Sequence, residues 1–193
     1  MKILFIRHGQ TTGDLEDRYG GDYDDHLSSE GIKQAEILPS ELKSKGIELI
    51  ISSPLIRAKE TADIISVLGC PMDIEKGFKE RNQYGILSGM IKSEAKEKFP
   101  ELVEKLKDRL NTIEGAESYE QFSQRIQESF LNLLSNNKYS CVAVIWHGGP
   151  MRVLFRDILK KGELKEIGDC AWVELENVNG QLVINELKRI EQE

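Results

Sequence analysis

The chain has 193 residues, 39% of them hydrophobic, which is enough for one globular domain with a buried core. No Pro-, Gly- or Ser-rich stretch marks a linker, so a single domain over residues 1–193 is predicted. The formal net charge of -7 argues against general binding to nucleic acid or to anionic membranes, because both need a broad basic field. A small anionic ligand is still compatible with this charge if its pocket is locally cationic.

Residues 1–7 are too short an apolar stretch for the core of a signal peptide, and no run reaches transmembrane length. A cytoplasmic location is therefore expected. The cysteines, Cys70, Cys141 and Cys170, are odd in number and widely spaced, without the paired spacing of metal ligands. They are expected to be buried thiols.

The first half of the chain predicts strands that alternate with helices. Residues 2–6 form an apolar strand, and residues 28–45 show a helical pattern that begins at a serine and stops at Gly46. A second apolar run at 49–51 leads into Ser52-Ser53-Pro54, where serine can cap and proline can occupy the first turn of a helix through Ile65. A short extended stretch near 72–74 follows.

The second half begins with a glycine-containing section at 77–89 and two charged helical segments, 93–110 and 117–136. Residues 77–136 are therefore predicted to form a helical insertion, or lid, near the site. A strand at 141–146, a helix at 150–160 and a hairpin of 170–175 with 182–187 complete the chain. This order predicts an α/β fold, a three-layer α/β/α sandwich with a mainly parallel sheet and an antiparallel edge hairpin.

Two of the three histidines, His8 and His147, each end a short apolar run and precede a glycine. In an open α/β sheet the reactive groups gather beyond the carboxyl ends of the strands. We therefore expect the two imidazoles to share one crevice.

The residues around His8 are suited to binding a phosphate. Arg7 offers planar donors, Gly9 allows backbone amides to approach closely, and Thr11 adds a hydroxyl. A neutral imidazole nitrogen can also attack phosphorus and form a labile phosphoramidate. Arg57 lies near a predicted helix start, where the helix dipole favours an anion.

These segments together resemble the histidine phosphatase superfamily, which includes the cofactor-dependent phosphoglycerate mutases. The resemblance rests on residues 7–11, the Ser-Ser-Pro-Leu-Ile-Arg-Ala segment at 52–58, Glu80 and the His-Gly-Gly segment at 147–149. It extends to residues 27–35 and 116–120, and so covers nearly the whole chain. A phosphoglycerate mutase-like fold is the implied architecture.

The resemblance implies a role for each matched residue. His8 would be the phosphorylated nucleophile, and Glu80 the proton donor and acceptor. Arg7, Arg57 and His147 would hold the phosphoryl oxygens, so no metal would be needed. The candidate substrate-binding residues are Thr11, Asp14, Gly21, Tyr84, Lys92 and Gly148.

The sequence departs from the family in its acidic loop. Asp14 stands where many relatives carry an asparagine that donates to the phosphate, and a carboxylate there would repel the anion unless protonated or turned away. Residues 13–25 contain five aspartates and one glutamate, which disfavours bulky polyanions nearby. His26 is given no role.

Three functions are compatible with these residues. The favoured function is a metal-independent phosphatase that acts on small phosphomonoesters through phosphohistidine, without a cofactor. It is favoured because the chain is shorter than the mutases and lacks their Trp-Arg-Arg signature. The alternative is a phosphoglycerate mutase that interconverts 2- and 3-phosphoglycerate with a 2,3-bisphosphoglycerate primer, with Lys105, Lys107 or Arg109 replacing that signature. The third is an inactive binding module in which Asp14 marks decay of the site. The oligomeric state stays open.

Overall fold

The computed structural model describes residues 1–136 and 138–192, with a six-stranded sheet through its centre. The strands are β1 (Lys2–Arg7), β2 (Leu49–Ser52), β3 (Met72–Ile74), β4 (Cys141–Trp146), β5 (Leu164–Val178) and β6 (Gln181–Gln192). The helices are α1 (Thr12–Leu15), α2 (Ser29–Leu42), α3 (Ile56–Ile65), α4 (Lys92–Lys98), α5 (Pro100–Lys105), α6 (Tyr119–Asn136) and α7 (Gly148–Val153). Short 3-10 turns lie at Ser66–Leu68, Lys76–Phe78 and Gly85–Leu87.

The strand order in the sheet is β3-β2-β4-β1-β5-β6. The first four strands are parallel, with Ile3 opposite Val142 and Arg7 opposite Trp146 in the central pair. β5 runs antiparallel to β1 and forms an antiparallel hairpin with β6. The predicted fold class, a mainly parallel sheet with an antiparallel edge hairpin, is confirmed.

Side chains alternate between the two faces of the sheet, as the period of a strand requires. Phe5 and Trp146 point to one face, where their rings stack at 4.2 Å between centroids and pack against α6 and α7. Leu4 and Ile6 point to the other face and pack against α2 and α3. Helices therefore cover both faces, in the predicted three layers.

The predicted insertion over 77–136 consists of two differently packed parts. Leu87, Ala95 and Ile113 form a small hydrophobic cluster of their own, which joins α4 and α5 to the preceding loop. Ile126 and Phe130 of α6 lie fully inside the main core. The lid remains a prediction, and α6 is part of the layer that supports the sheet.

Three predicted helices have different boundaries in the structure. The helix expected from Ser52-Ser53-Pro54 begins at Ile56, and its N-cap Leu55 has no side-chain cap, so the predicted serine cap and first-turn proline are wrong. The segment 93–110 is broken at Phe99, with φ -137° and ψ 53°, because a residue before proline disfavours the helical conformation. The helix expected at 150–160 begins earlier, at Gly148, and becomes π-helical over Leu154–Ile158.

The other elements agree with prediction, with small shifts. The helix expected at 28–45 spans Ser29–Leu42, and the Ser28 side chain caps it by accepting from the backbone N–H of Gly31 at 2.9 Å. Both strands of the terminal hairpin are longer than predicted. Among the described residues, no helix is both long enough and apolar enough to cross a membrane.

Candidate active site

The two glycine-preceding histidines meet at the carboxyl ends of β1 and β4. These strands are adjacent and parallel, and Arg7 lies opposite Trp146 at their last pair, so His8 and His147 leave the sheet side by side. Their ring centroids are 5.1 Å apart. Both side chains are buried, and the expected juxtaposition is present.

The hydrogen bonds of His8 define its tautomer. Nδ1 lies 2.7 Å from the carbonyl oxygen of Gly9, which can only accept, so Nδ1 carries the hydrogen. Nε2 lies 3.2 Å from Nε of Arg57, which can only donate, so Nε2 presents a lone pair. Burial, followed by the charges of Arg57 and Arg7, holds the pKa of His8 well below its usual value. The ring is therefore neutral near neutral pH, with an unprotonated Nε2.

Arg57 is fixed by contacts to the loop before α2. One terminal nitrogen donates to the carbonyl of Tyr23 at 2.7 Å and to the carboxylate of Asp25 at 2.9 Å, and the other donates to the carbonyl of Gly21 at 2.7 Å. The side chains of Arg57 and Asp25 are 4% and 3% exposed. These bonds hold the guanidinium of Arg57 next to the ring of His8.

Arg7 is oriented from the strand on its other side. It donates to the carbonyl of Ile167 at 2.5 Å and pairs with the carboxylate of Asp169 at 3.3 Å. Both partners lie in β5, the antiparallel neighbour of β1. The antiparallel part of the sheet therefore positions one of the candidate phosphate ligands.

His147 has one satisfied and one unsatisfied ring nitrogen. Its Nε2 lies 2.7 Å from the hydroxyl of Ser53, which follows β2. Its Nδ1 is buried and has no hydrogen-bond partner among the described residues. Burial, followed by the charge of Arg57, holds the pKa of His147 well below its usual value. A buried polar atom without a partner is rare, and an oxygen of a bound phosphoryl group would satisfy it.

Glu80 is held by backbone amides on two sides. One carboxylate oxygen accepts from the N–H of Gly149 at 2.9 Å, and the other accepts from the N–H of Arg81 at 2.7 Å. Burial raises the pKa of Glu80 above its usual value, against the opposing effect of these N–H bonds. A carboxyl whose pKa is raised keeps its proton to a higher pH than a free one, which suits a group that must give a proton and later take one.

Four of the five candidate catalytic residues line one cavity of about 430 Å³, and His147 is outside its lining. Its wall holds eight cationic side chains and three carboxylates, although the chain as a whole carries a net charge of -7. This local excess matches the cationic pocket that an anionic ligand requires. The cations are Arg7, Arg18, Arg57, Arg81, Lys92, Arg109, Arg152 and Arg156, and the carboxylates are Asp14, Asp25 and Glu80.

The six candidate substrate-binding residues also line this cavity. Thr11 and Asp14 cap α1 reciprocally, since the Thr11 hydroxyl accepts from the N–H of Asp14 at 3.1 Å and the Asp14 carboxylate accepts from the N–H of Thr11 at 2.9 Å. The carboxylate at 14 is thus engaged with the backbone. Gly21 has φ +58°, and its carbonyl anchors Arg57.

The remaining three candidates lie in different surroundings. The Tyr84 ring packs against Tyr19 at 4.7 Å between centroids, and burial raises the pKa of its hydroxyl. The Lys92 ammonium pairs with Asp17 at 2.6 Å on the surface. Gly148 opens α7, with Nε of Arg7 at 4.0 Å from the position of an added Cβ.

The sequence did not predict several residues of the site. The sequence does not distinguish Asp25 from the other aspartates of the acidic loop. Ser53 lies in the segment expected to cap a helix, although its place directly after a parallel strand is the signal that also marks His8. Four further arginines in the cavity wall, Arg18, Arg81, Arg152 and Arg156, carry no local pattern that would single them out.

The other polar residues considered from the sequence have separate places. His26 pairs with Glu60 at 2.6 Å. Of the three cations weighed as replacements for a mutase signature, Arg109 lines the cavity, whereas Lys105 and Lys107 are outside its lining. Over residues 1–136 and 138–192, no three His, Cys, Asp or Glu side chains group as metal ligands.

Comparison with known proteins identifies relatives over most of the chain. The model of the histidine phosphatase superfamily (branch 1) matches residues 3–189. A metal-independent phosphoserine phosphatase of Arabidopsis thaliana is 31% identical over 159 residues, 80% of this chain and 67% of that protein. Phosphoserine phosphatase 1 of Hydrogenobacter thermophilus is 29% identical over 82% of this chain and 76% of its own. A solved structure of a putative alpha-ribazole-5'-P phosphatase from Escherichia coli has TM-score 0.85 and 22% identity, covering 100% of this chain and 98% of that one.

Proposed function

Because the chain belongs to the histidine phosphatase superfamily, we propose that it is a phosphatase that hydrolyses small phosphomonoesters through a phosphohistidine at His8. The observation that carries the proposal is the fixed neutral tautomer of His8, whose unprotonated Nε2 sits beside a buried guanidinium in a cationic cavity. That nitrogen is prepared to attack phosphorus without first losing a proton.

In the first step, Nε2 of His8 attacks the phosphorus and the bond from phosphorus to the leaving oxygen breaks. Glu80 gives its proton to that oxygen, so the leaving group departs as an alcohol. As the new P–N bond takes the lone pair of Nε2, the Nε–H of Arg57, 3.2 Å from that nitrogen, loses this acceptor and donates to a phosphoryl oxygen from the same position. Arg7 and the unpartnered Nδ1 of His147 hold the other oxygens.

In the second step, the Glu80 carboxylate takes a proton from water while the water oxygen attacks phosphorus. The P–N bond breaks, inorganic phosphate leaves and His8 returns to its neutral form. The guanidinium groups neutralise the charge on the equatorial oxygens, which is the main requirement of phosphoryl transfer. Loss of one such donor typically lowers the rate by about 10²-fold to 10³-fold.

The relatives support a phosphatase. Two of them are named for hydrolysis of phosphoserine, one of them as a metal-independent enzyme. Phosphoserine is accordingly a candidate substrate. The reaction derived above uses no metal and no cofactor, whereas a mutase would need a bisphosphoglycerate primer.

The assay incubates the protein with 3-phosphoglycerate and catalytic 2,3-bisphosphoglycerate and follows inorganic phosphate and 2-phosphoglycerate separately. We expect phosphate release without isomerisation, and none from His8→Ala. Fast isomerisation with little phosphate release would make the protein a mutase. If neither product forms, phosphoserine and p-nitrophenyl phosphate are tried next, and failure to hydrolyse all of them would indicate a binding module.

A further inference from the structure

Strand β5 is irregular where it passes the carboxyl end of β1. Residues 168–171 separate two residues of β5 that pair with β6, whereas Arg189 alone separates their partners in β6. We call Asp169 and Cys170, at the centre of this segment, the β5 bulge. Cys170 has φ +53°, and Arg189 opposite it has φ +58°. Left-handed backbone is unfavourable for a residue with a side chain, so surrounding contacts must stabilise it.

The β5 bulge contacts both the last residue of β1 and the proposed nucleophile that follows it. The Asp169 carboxylate pairs with the guanidinium of Arg7 at 3.3 Å, and Arg7 also donates to the carbonyl of Ile167 at 2.5 Å. The backbone N–H of Cys170 donates to the carbonyl of His8 at 3.2 Å. The conformation of the bulge therefore determines where the guanidinium of Arg7 lies relative to the ring of His8.

The Arg189 side chain stabilises the bulge from its other side. Nε and one terminal nitrogen of Arg189 donate to the carbonyl of Cys170 at 3.1 and 2.7 Å. The same guanidinium forms a bidentate pair with Glu41 of α2, at 3.0 and 2.8 Å. The Glu41 side chain is 11% exposed and also accepts from the indole N–H of Trp172 at 3.0 Å. The guanidinium is thus fixed between α2 and the bulge, by charge-assisted bonds on both sides.

The neighbouring residue Lys188 separates the two contacts of Arg189. The Lys188 ammonium pairs with the same Glu41 carboxylate at 2.7 Å. The paired donation to the carbonyl of Cys170 comes from Arg189. The two cations therefore share the ion pair with α2 and differ in their contact with the bulge, which makes Lys188 a matched control for Arg189.

We propose that Arg189 is a positioning residue for Arg7, the proposed phosphoryl ligand, and that it acts through the β5 bulge. The inference rests on the proposed function, because it concerns the same cavity. Arg189 is outside the cavity lining. Without its guanidinium the carbonyl of Cys170 loses two donors, the left-handed backbone relaxes, and the Asp169 carboxylate shifts with the guanidinium of Arg7 that it holds. A misplacement of about 1 Å can lower the rate by about 10²-fold.

The test measures kcat/KM for 3-phosphoglycerate and p-nitrophenyl phosphate in folded Arg189→Gln protein. Both values should fall by about tenfold to a hundredfold, because Arg7 holds the phosphoryl oxygens of both substrates. Lys188→Gln removes a positive charge from the same carboxylate and should leave both values within twofold of wild type. Full activity of Arg189→Gln, or equal losses in the two variants, would overturn the proposal.

A double-mutant cycle tests whether the effect passes through Arg7. In Arg7→Gln protein, adding Arg189→Gln should lower kcat/KM by less than threefold further, because the group that Arg189 positions is already absent. A general loosening of the fold would lower kcat/KM equally in both backgrounds. A loss as large as in the wild-type background would therefore contradict the assigned role.

A second variant decides the matter if Arg189→Gln does not fold. Arg189→Lys keeps the positive charge that faces Glu41 but cannot reproduce the planar, paired donation to the carbonyl of Cys170. It should fold and lose at least threefold in kcat/KM on both substrates. Full activity of folded Arg189→Lys protein would then overturn the proposal.

The proposed function can fail separately. If no phosphate ester is hydrolysed, orthovanadate, an oxyanion with the shape of phosphate, is titrated by calorimetry into wild type, Arg189→Gln and Lys188→Gln. Binding that is at least tenfold weaker in Arg189→Gln alone would still support the positioning of Arg7. Equal binding by all three proteins, or no binding by wild type, would contradict it.

Discussion

Replacing Gly149 with alanine should disable the proposed proton donor without unfolding the protein. A Cβ at Gly149 would lie 2.1 Å from one carboxylate oxygen of Glu80 and 2.9 Å from its carboxyl carbon. Ordinary contacts between non-bonded heavy atoms are about 3.5 Å, so the carboxylate must move by more than about 1 Å. A misplacement of about 1 Å can lower the rate by about 10²-fold. The bond from the N–H of Gly149 at 2.9 Å would be lost as well.

The assay measures kcat/KM for 3-phosphoglycerate and for p-nitrophenyl phosphate. We expect a loss of about 10²-fold for the first, because an alkoxide needs the proton of Glu80, and a much smaller loss for the second, whose leaving group is stable as an anion. Alanine is a better helix former than glycine by about 1 kcal/mol, so Tm should not fall from helix propensity.

Gly168→Ala is the matched control, since its added Cβ meets nothing nearer than 3.4 Å. It should retain full activity on both substrates. A folded Gly149→Ala protein with kcat/KM within about threefold of wild type on 3-phosphoglycerate would refute the role given to Glu80.

Three further predictions concern Asp25, the pH dependence and Glu41. Asp25→Asn removes the charge that faces buried Arg57, so calorimetry should show a loss of about 3 kcal/mol in unfolding free energy. The kcat should also fall at least tenfold. An unchanged Tm and kcat would contradict this prediction. Because burial lowers the pKa of His8, kcat/KM for alkyl phosphates should persist as pH falls through 6.5. Because burial raises the pKa of Glu80, kcat/KM should decline on the alkaline side as Glu80 ionises. The kcat/KM for p-nitrophenyl phosphate should not show this alkaline decline. Arg189, followed by Lys188 and the Trp172 N–H, holds the pKa of Glu41 at about 2 against the opposing effect of burial. The Tm of wild type should therefore exceed that of Glu41→Gln by its full margin above pH 4.5, and this margin should shrink as pH falls towards 2. A margin that does not change with pH would show that the ion pair is not its source.

The strand ends were predictable because apolar runs and the position of glycine are local features. The apolar runs that end at His8 and His147 defined two strands, and the rule that reactive groups gather at the carboxyl ends of parallel strands placed the two rings in one crevice. The resemblance to a family supplied Arg57 and Glu80, which composition alone would have left on the surface. The structure places His8, Arg57 and Glu80 in the lining of one cavity, and the ring of His147 lies 5.1 Å from that of His8.

The contacts between distant segments were not predictable. Asp25 and Arg57 are far apart in sequence, and nothing local distinguishes Asp25 from the other aspartates of its loop. The Ser52-Ser53-Pro54 segment does not cap α3, and the Ser53 hydroxyl bonds to the ring of His147, which follows β4. Arg81, Arg109 and Arg152 come from three separate segments and gather only around the folded cavity wall.

The phosphohistidine mechanism is tested by trapping the phosphorylated enzyme. The protein is mixed with 3-phosphoglycerate labelled on its phosphate, quenched in alkali within milliseconds and digested, and the labelled peptide is identified. We predict a phosphoramidate on His8, stable in base and labile in acid, that is absent from His8→Ala protein. Label on another residue, or turnover that persists in His8→Ala, would contradict the proposed mechanism.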